Sequence, residues 1–100
     1  MKKQEIEAAT SRLAELKSEM TDLGPVMRGS VTLMGTRTKQ FYFSLNKGGK
    51  TRLIFLGKKR EPIARRYSDN HRRLLEIVDE MTLLYMELLK VSAIEGLENS

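Results

Sequence analysis

The sequence predicts an α+β fold: an N-terminal helix, a three-stranded antiparallel β-meander and a long C-terminal helix in a single domain of 100 residues. Three observations predict it. Apolar residues recur at helical spacing up to Leu23, the period drops to 2 from Gly29, and helical spacing returns beyond Glu61-Pro62. The expected bounds are residues 3–23 and 62–95 for the helices and 30–36, 40–46 and 51–56 for the strands.

The first helix is read from Ile6, Ala9, Leu13, Leu16, Met20 and Leu23, which fall on one stripe three heptads long. Glu5, Glu7, Arg12, Glu15, Lys17 and Glu19 supply the wetted side. Gly24-Pro25 is expected to close the helix, Gly by adopting a left-handed conformation and Pro by being unable to continue it.

The strands are the runs SVTLMGT, KQFYFSLN and TRLIFLG. Asn46-Lys47-Gly48-Gly49-Lys50 marks a hairpin, because adjacent glycines accept the positive φ values of a tight reversal. A three-residue loop would gather Phe41, Phe43, Leu45, Leu53 and Phe55 on one face and leave Gln40, Tyr42, Ser44, Lys50 and Arg52 on the other with Ile54 and Leu56. A two-residue loop at Gly48-Gly49 would slip the register by one and mix the faces. The sequence favours the three-residue loop, since it unites all three phenylalanines. Val31 and Leu33 of the first strand extend that apolar face, and a helix must cover it for the meander to be stable.

Pro62 is expected at the first position of the second helix, where its missing N–H is harmless. Tyr67, Asn70, Leu74, Ile77, Met81, Leu84, Leu88 and Val91 then repeat at 3 and 4, with Leu75, Val78, Tyr85 and Leu89 forming an adjacent stripe. With Gly96 as its stop, the helix would run roughly 50 Å at about 1.5 Å per residue. An apolar face this broad needs more cover than one sheet supplies, which points to pairing with the first helix and to a homodimer formed through the helices.

Charge is concentrated in the middle of the chain. Between Arg28 and Arg73 stand 13 Lys or Arg against Glu61 and Asp69, a balance of +11, whereas residues 1–27 carry −1 and residues 74–100 carry −5. Residues 3–23 therefore read as a helical seam, 28–73 as a basic sheet and helix entrance, and 74–95 as a helical oligomerisation region. Such a density of like charge calls for an anionic partner, a phosphate backbone before all; a solvated basic face without a partner is the plain alternative. Arg37, Lys39, Lys47, Lys50 and Arg52 are expected on the turns and outer face of the sheet. Lys58, Lys59, Arg60, Arg65, Arg66, Arg72 and Arg73 crowd the junction and the first turns of the second helix. Tyr42 and Arg52, taken to share the outer face, are the pair expected to touch bases, by stacking and by an Arg fork; a cross-strand packing pair is the plainer reading. Arg28 could serve the same surface or hold a carboxylate of the first helix.

Catalysis has little to work with. His71 is the only His, and Ser68, Asp69, Asn70 and His71 are neighbours on a helix, where adjacent positions diverge. No enzymatic activity, cofactor, metal or small-molecule substrate is expected. The absence of Cys suits a reducing compartment, and neither an 18-residue apolar run nor a signal-peptide pattern is present, so cytoplasmic localisation without membrane association is expected.

Residues 24–89, with GPVMRGSV, the aromatic strand QFYFSLN, the hairpin GGKTR and the helix YSDNHRRLLEIVDEM, resemble a small bacterial family often found beside mobile elements. Many members carry a Cys-rich insertion between the first two strands; here only Gly35-Thr36-Arg37-Thr38-Lys39 stands there, so no metal role carries over. Residues 40–75 are more loosely similar to the arm-type DNA-binding domains of tyrosine recombinases, which lay a three-stranded sheet in the major groove. That resemblance implies binding to double-stranded DNA in preference to RNA. The reading drawn from charge and resemblance together is a nucleic-acid-binding protein, and the alternative is a protein–protein assembly or adaptor module acting through its helical seams.

Overall fold

A computed structural model describes residues 2–91. The elements follow in the order α1 (Lys3–Asp22), β1 (Ser30–Met34), β2 (Gln40–Lys47), β3 (Lys50–Phe55) and α2 (Gly57–Lys90), an α+β arrangement of the expected kind. Tertiary contacts divide the chain into two compact units: Gly24–Arg73, and α1 together with α2 from Leu74 onward.

In the helical unit α1 buries the expected seam. Ala9 and Leu13 join Leu88 in a core flanked by Ile6, Met81, Leu84 and Tyr85, and Leu16 and Ile77 are fully buried. Arg12 donates from Nε and Nη2 to the two carboxylate oxygens of Glu80, at 2.6 and 3.0 Å, and from Nη1 to Glu15 at 3.1 Å. This fork fixes one pairing of the helices as well as adding energy. Its hydrogen bonds to Glu80 and then to Glu15 hold the guanidinium charged even more firmly than usual. The helix does not end through a left-handed glycine: Leu23 turns extended, with φ −60° and ψ 138°, and Gly24 has no positive φ. Gly24 serves packing instead, because a Cβ there would stand 3.2 Å from Nδ2 of Asn70.

In the sheet unit, β2 is central and pairs antiparallel with both neighbours. The hairpin is the two-residue one. Lys47 faces Lys50 across Gly48 and Gly49, whose φ values of 60° and 76° are those of a tight primed turn. The expected three-residue loop is thereby overturned. Turn chemistry outweighed the union of the phenylalanines, and the slip moves every β3 side chain to the other face. Phe43 stands opposite Val31 and Ile54, and Leu45 opposite Arg52, while Phe55 stands opposite Tyr42 and Leu53 opposite Ser44. A hydrogen bond from Thr51 Oγ1 to Asn46 Oδ1 secures the same register next to the turn.

Phe43, Leu56 and Ala64 form the core of this unit, with Met27, Val31, Phe41 and Leu45 around them. Three hydrogen bonds strap the segment before β1 onto α2: Met27 N to Tyr67 O (3.1 Å), Ser68 Oγ to Gly29 O (2.8 Å) and Asn70 Nδ2 to Pro25 O (2.9 Å). Gly29 makes the close approach possible. Its φ is 146°, and a Cβ would meet Ser44 O at 2.5 Å and the Phe43 ring at 2.6 Å.

Two other boundaries differ from expectation by more than one residue. β1 stops at Met34 because Gly35, with φ 136° and the Thr38 carbonyl oxygen where a Cβ would have to stand, already turns the chain. α2 begins at Gly57, five residues before the expected start, so Pro62 lies inside the helix. Leu56 still donates to Phe41 O at 2.9 Å, and the positive φ of 71° at Gly57 then redirects the backbone into the helix at once. Pro62 merely withholds the N–H that would have met the Lys58 carbonyl. The expected continuation from residue 92 to 95 and the stop at Gly96 fall outside the described residues.

Packing and turn geometry can each be tested by substitution. Leu16→Ala and Ile77→Ala should each lower stability by about 2–5 kcal/mol, while Leu83→Ala, on a side chain 64% exposed, should change it by less than about 0.5 kcal/mol, as read by denaturant unfolding. At the hairpin, Gly48→Asn should be nearly neutral and Gly48→Val should cost about 1–2 kcal/mol, since the space is open and only the backbone conformation is strained.

Candidate nucleic-acid interface

All 13 cations of the central charge block fall within the compact unit Gly24–Arg73, and both of its acids fall there too. That unit therefore carries +11 and the remainder of the chain −6. The boundary of tertiary contact and the boundary of charge coincide.

Strand pairing places these cations at the two ends of the sheet. Met34 pairs with Gln40 and Phe55 with Tyr42, so the β1–β2 turn with Arg37 and Lys39 lies at the same end as the β3–α2 junction with Lys58, Lys59 and Arg60. At the other end Lys47 and Lys50 flank the hairpin, Arg52 follows two pairs further in, and Arg28 donates from Nη1 to Asn46 O at 3.0 Å. Arg28 thus joins the hairpin end of the sheet. The seven steps of β2 from Gln40 to Lys47 separate the two groups by roughly 23 Å.

The face of the sheet turned away from the core bears no charge. It presents Ser30, Thr32 and Met34 from β1, Gln40, Tyr42, Ser44 and Asn46 from β2, and Thr51, Leu53 and Phe55 from β3. Tyr42 and Phe55 meet edge to face, with centroids 5.6 Å apart and planes at 69°. The expected pairing of Tyr42 with Arg52 is therefore not formed: Arg52, Lys50 and Ile54 lie on the side of Phe43, opposite to Tyr42. The plainer reading of Tyr42 and Arg52 as a cross-strand packing pair fails with it, since the cross-strand partner of Tyr42 is Phe55 and that of Arg52 is Leu45. Sequence reasoning missed Phe55 and Leu53 on this face, and the one signal that could have placed them was the preference of adjacent glycines for a two-residue turn.

On α2 the seven-residue spacings form two rows, Lys58, Arg65 and Arg72 in one and Lys59, Arg66 and Arg73 in the other, with successive cations about 10.5 Å apart. The early start of the helix brings Lys58, Lys59 and Arg60 into its first turn, which contains no acid. Cations at that positive end of the helix dipole repel one another and the backbone alike. Arg60 is anchored by its Nε bond to Leu56 O at 2.8 Å. Arg65 lies 5.6 Å from the Phe41 centroid and pairs with Glu61, Arg66 lies 5.7 Å from the Tyr67 centroid, and Arg72 pairs with Asp69 at 3.2 Å. Arg65 and Arg72 also line a polar cavity of about 90 Å³ with Ser30, Val31, Ser68 and Asp69. Arg37, Lys39, Lys47, Lys50, Arg52, Lys58 and Lys59 make no ion pair among the described residues.

The run Ser68, Asp69, Asn70, His71 diverges as helix geometry requires. Ser68 bonds Gly29 O, Asn70 bonds Pro25 O and Asp69 holds Arg72. Among the described residues no group of three or more His, Asp or Glu side chains converges as a metal site would, and no helix is long and apolar enough to cross a membrane. No protein family, curated protein or solved structure matches the chain, so the functional reading rests on its own residues.

Proposed function

We propose that this chain is a non-enzymatic, cytoplasmic nucleic-acid-binding protein that takes double-stranded DNA in preference to RNA. The observation that carries the reading is the confinement of +11 to one compact unit whose two acids, Glu61 and Asp69, pair with Arg65 and Arg72 of their own helix. Repulsion of that size is relieved when phosphates replace the mobile counterions. Arg37, Lys39, Lys58 and Lys59 at one end of the sheet, and Lys47, Lys50 and Arg52 at the other, act as phosphate contacts that set position without choosing sequence. The rows through Arg65, Arg66, Arg72 and Arg73, with Arg60 at their head, extend the same surface along α2. The uncharged face between the ends offers the amides of Gln40 and Asn46, several hydroxyls and the Tyr42–Phe55 pair, which are groups suited to base edges. A small sheet fits the wide major groove of B-form DNA and is excluded from the deep, narrow one of A-form RNA.

The alternative, an assembly or adaptor module working through its helices, is favoured by one observation of its own: Leu75, Val78, Met86 and Leu89 leave half of their surface uncovered.

Anisotropy titrations with a labelled DNA duplex decide between them. Six to ten phosphate contacts would lower affinity by about 10³–10⁵ between 50 and 200 mM salt; absence of binding at about 50 mM salt, where phosphate contacts are strongest, would leave only the adaptor reading. Replacing Lys50, Arg52, Lys58 and Lys59 together by Ala should flatten the log–log salt dependence by up to about 4, roughly 1 for each cation removed, with the thermal midpoint nearly unchanged. An RNA duplex of the same sequence should bind more weakly under equal salt.

A further inference from the structure

The second stripe of α2 has a symmetry of its own. Leu75, Val78, Thr82, Met86 and Leu89 follow one another at spacings of 3, 4, 4 and 3, which read the same in both directions about Thr82. At 100° per residue they occupy an arc of roughly 80° on one side of the helix. The four apolar members are between 45% and 52% exposed, in contrast to Ile77 and Leu88 of the covered stripe, at 0% and 1%. Thr82, at the centre, has its hydroxyl bonded to the Val78 carbonyl at 2.7 Å. Its polar atom is already satisfied, so burying it costs little.

We infer that α2 pairs antiparallel with α2 of a second copy of this chain, across a two-fold axis that passes Thr82. A two-fold axis at that residue sets Leu75 against Leu89 of the other copy, Val78 against Met86 and Thr82 against itself. An interface of this isologous kind requires a self-complementary pattern, and the palindromic spacing supplies one. Area supports the same occupant. Four half-exposed apolar side chains and the Thr82 methyl present roughly 300–400 Å² on each copy, the size of the largest apolar patch of a typical monomer, which is often functional. Doubled across the axis and joined by flanking side chains over about 22 Å of helix, the contact approaches the roughly 1,200 Å² at which specific interfaces begin. The ends bring Arg72 near Lys90 of the other copy. Their repulsion is blunted because each is paired within its own helix, Arg72 with Asp69 and Lys90 with Glu87, both at 3.2 Å. An interface at the lower limit of size implies a dimer that forms in the micromolar range and depends on concentration. The inference goes beyond the nucleic-acid reading and is tested without nucleic acid.

Sedimentation equilibrium of the full chain should show the mass rising from 11.5 kDa towards twice that value over roughly 1–100 μM, the range for so small an interface. Val78→Lys should hold it at the monomer mass with its far-UV dichroism unchanged. Because the chain contains no Cys, single cysteines report the geometry even should Val78→Lys fail to fold. Thr82→Cys should form an intermolecular disulfide under mild oxidation. Leu75→Cys alone should not, and the Leu75→Cys, Leu89→Cys double variant should. A monomer at all concentrations overturns the inference, and so does cross-linking of Leu75→Cys as readily as Thr82→Cys, which a parallel pair would give.

Discussion

The register between β2 and β3 is the constraint on which the site depends. Gly48 and Gly49 close the hairpin in two residues, and because strand side chains alternate strictly, that loop length settles the side on which every β3 residue stands. Ile54 takes the place opposite Phe43 on the core side of the sheet, where it stays 55% exposed, and Phe55 lies on the other face against Tyr42. Arg52 and Lys50 leave the outer face by the same step. A loop of three residues would have set cations on that face; the loop of two leaves it uncharged and puts Lys50 and Arg52 on the opposite side of the sheet.

A unit of 50 residues carrying +11 must limit its self-repulsion to fold at all. Arg65 and Arg66 lie over aromatic rings, Arg28 and Arg60 donate to backbone carbonyls, and Glu61 and Asp69 each hold one arginine. None of these interactions removes the net charge. The folded unit thus fixes several of its arginines in place while leaving its lysines in water, an arrangement that suits a polyanion better than a single small anion.

α2 links structure to both proposals. Its first half supplies Ala64, small enough for close packing on Phe43, and the carbonyl and side-chain groups that strap down the segment before β1. Its second half presents two apolar stripes. α1 covers one of them, and Leu75, Val78, Met86 and Leu89 of the other remain half exposed. In a helix with charged residues on its remaining surface, an uncovered stripe of regular spacing is a feature that solvation alone would not favour.

The order and type of the elements could be read from the sequence because periodicity is a local property: the stripe of Ile6 to Met20 is helical wherever the chain goes, and the β-branched and aromatic runs are extended for the same reason. The charge block was equally legible, since it needs only counting. Tertiary structure decided the rest. Whether Phe55 faced the core depended on one turn residue more or less, whether α2 began at Gly57 or Pro62 depended on Leu56 reaching the Phe41 carbonyl, and whether Leu75 or Ile77 was covered depended on where α1 docked. These are contacts between distant parts of the chain. Sequence spacing fixes which residues share a face, while only the fold determines what that face meets.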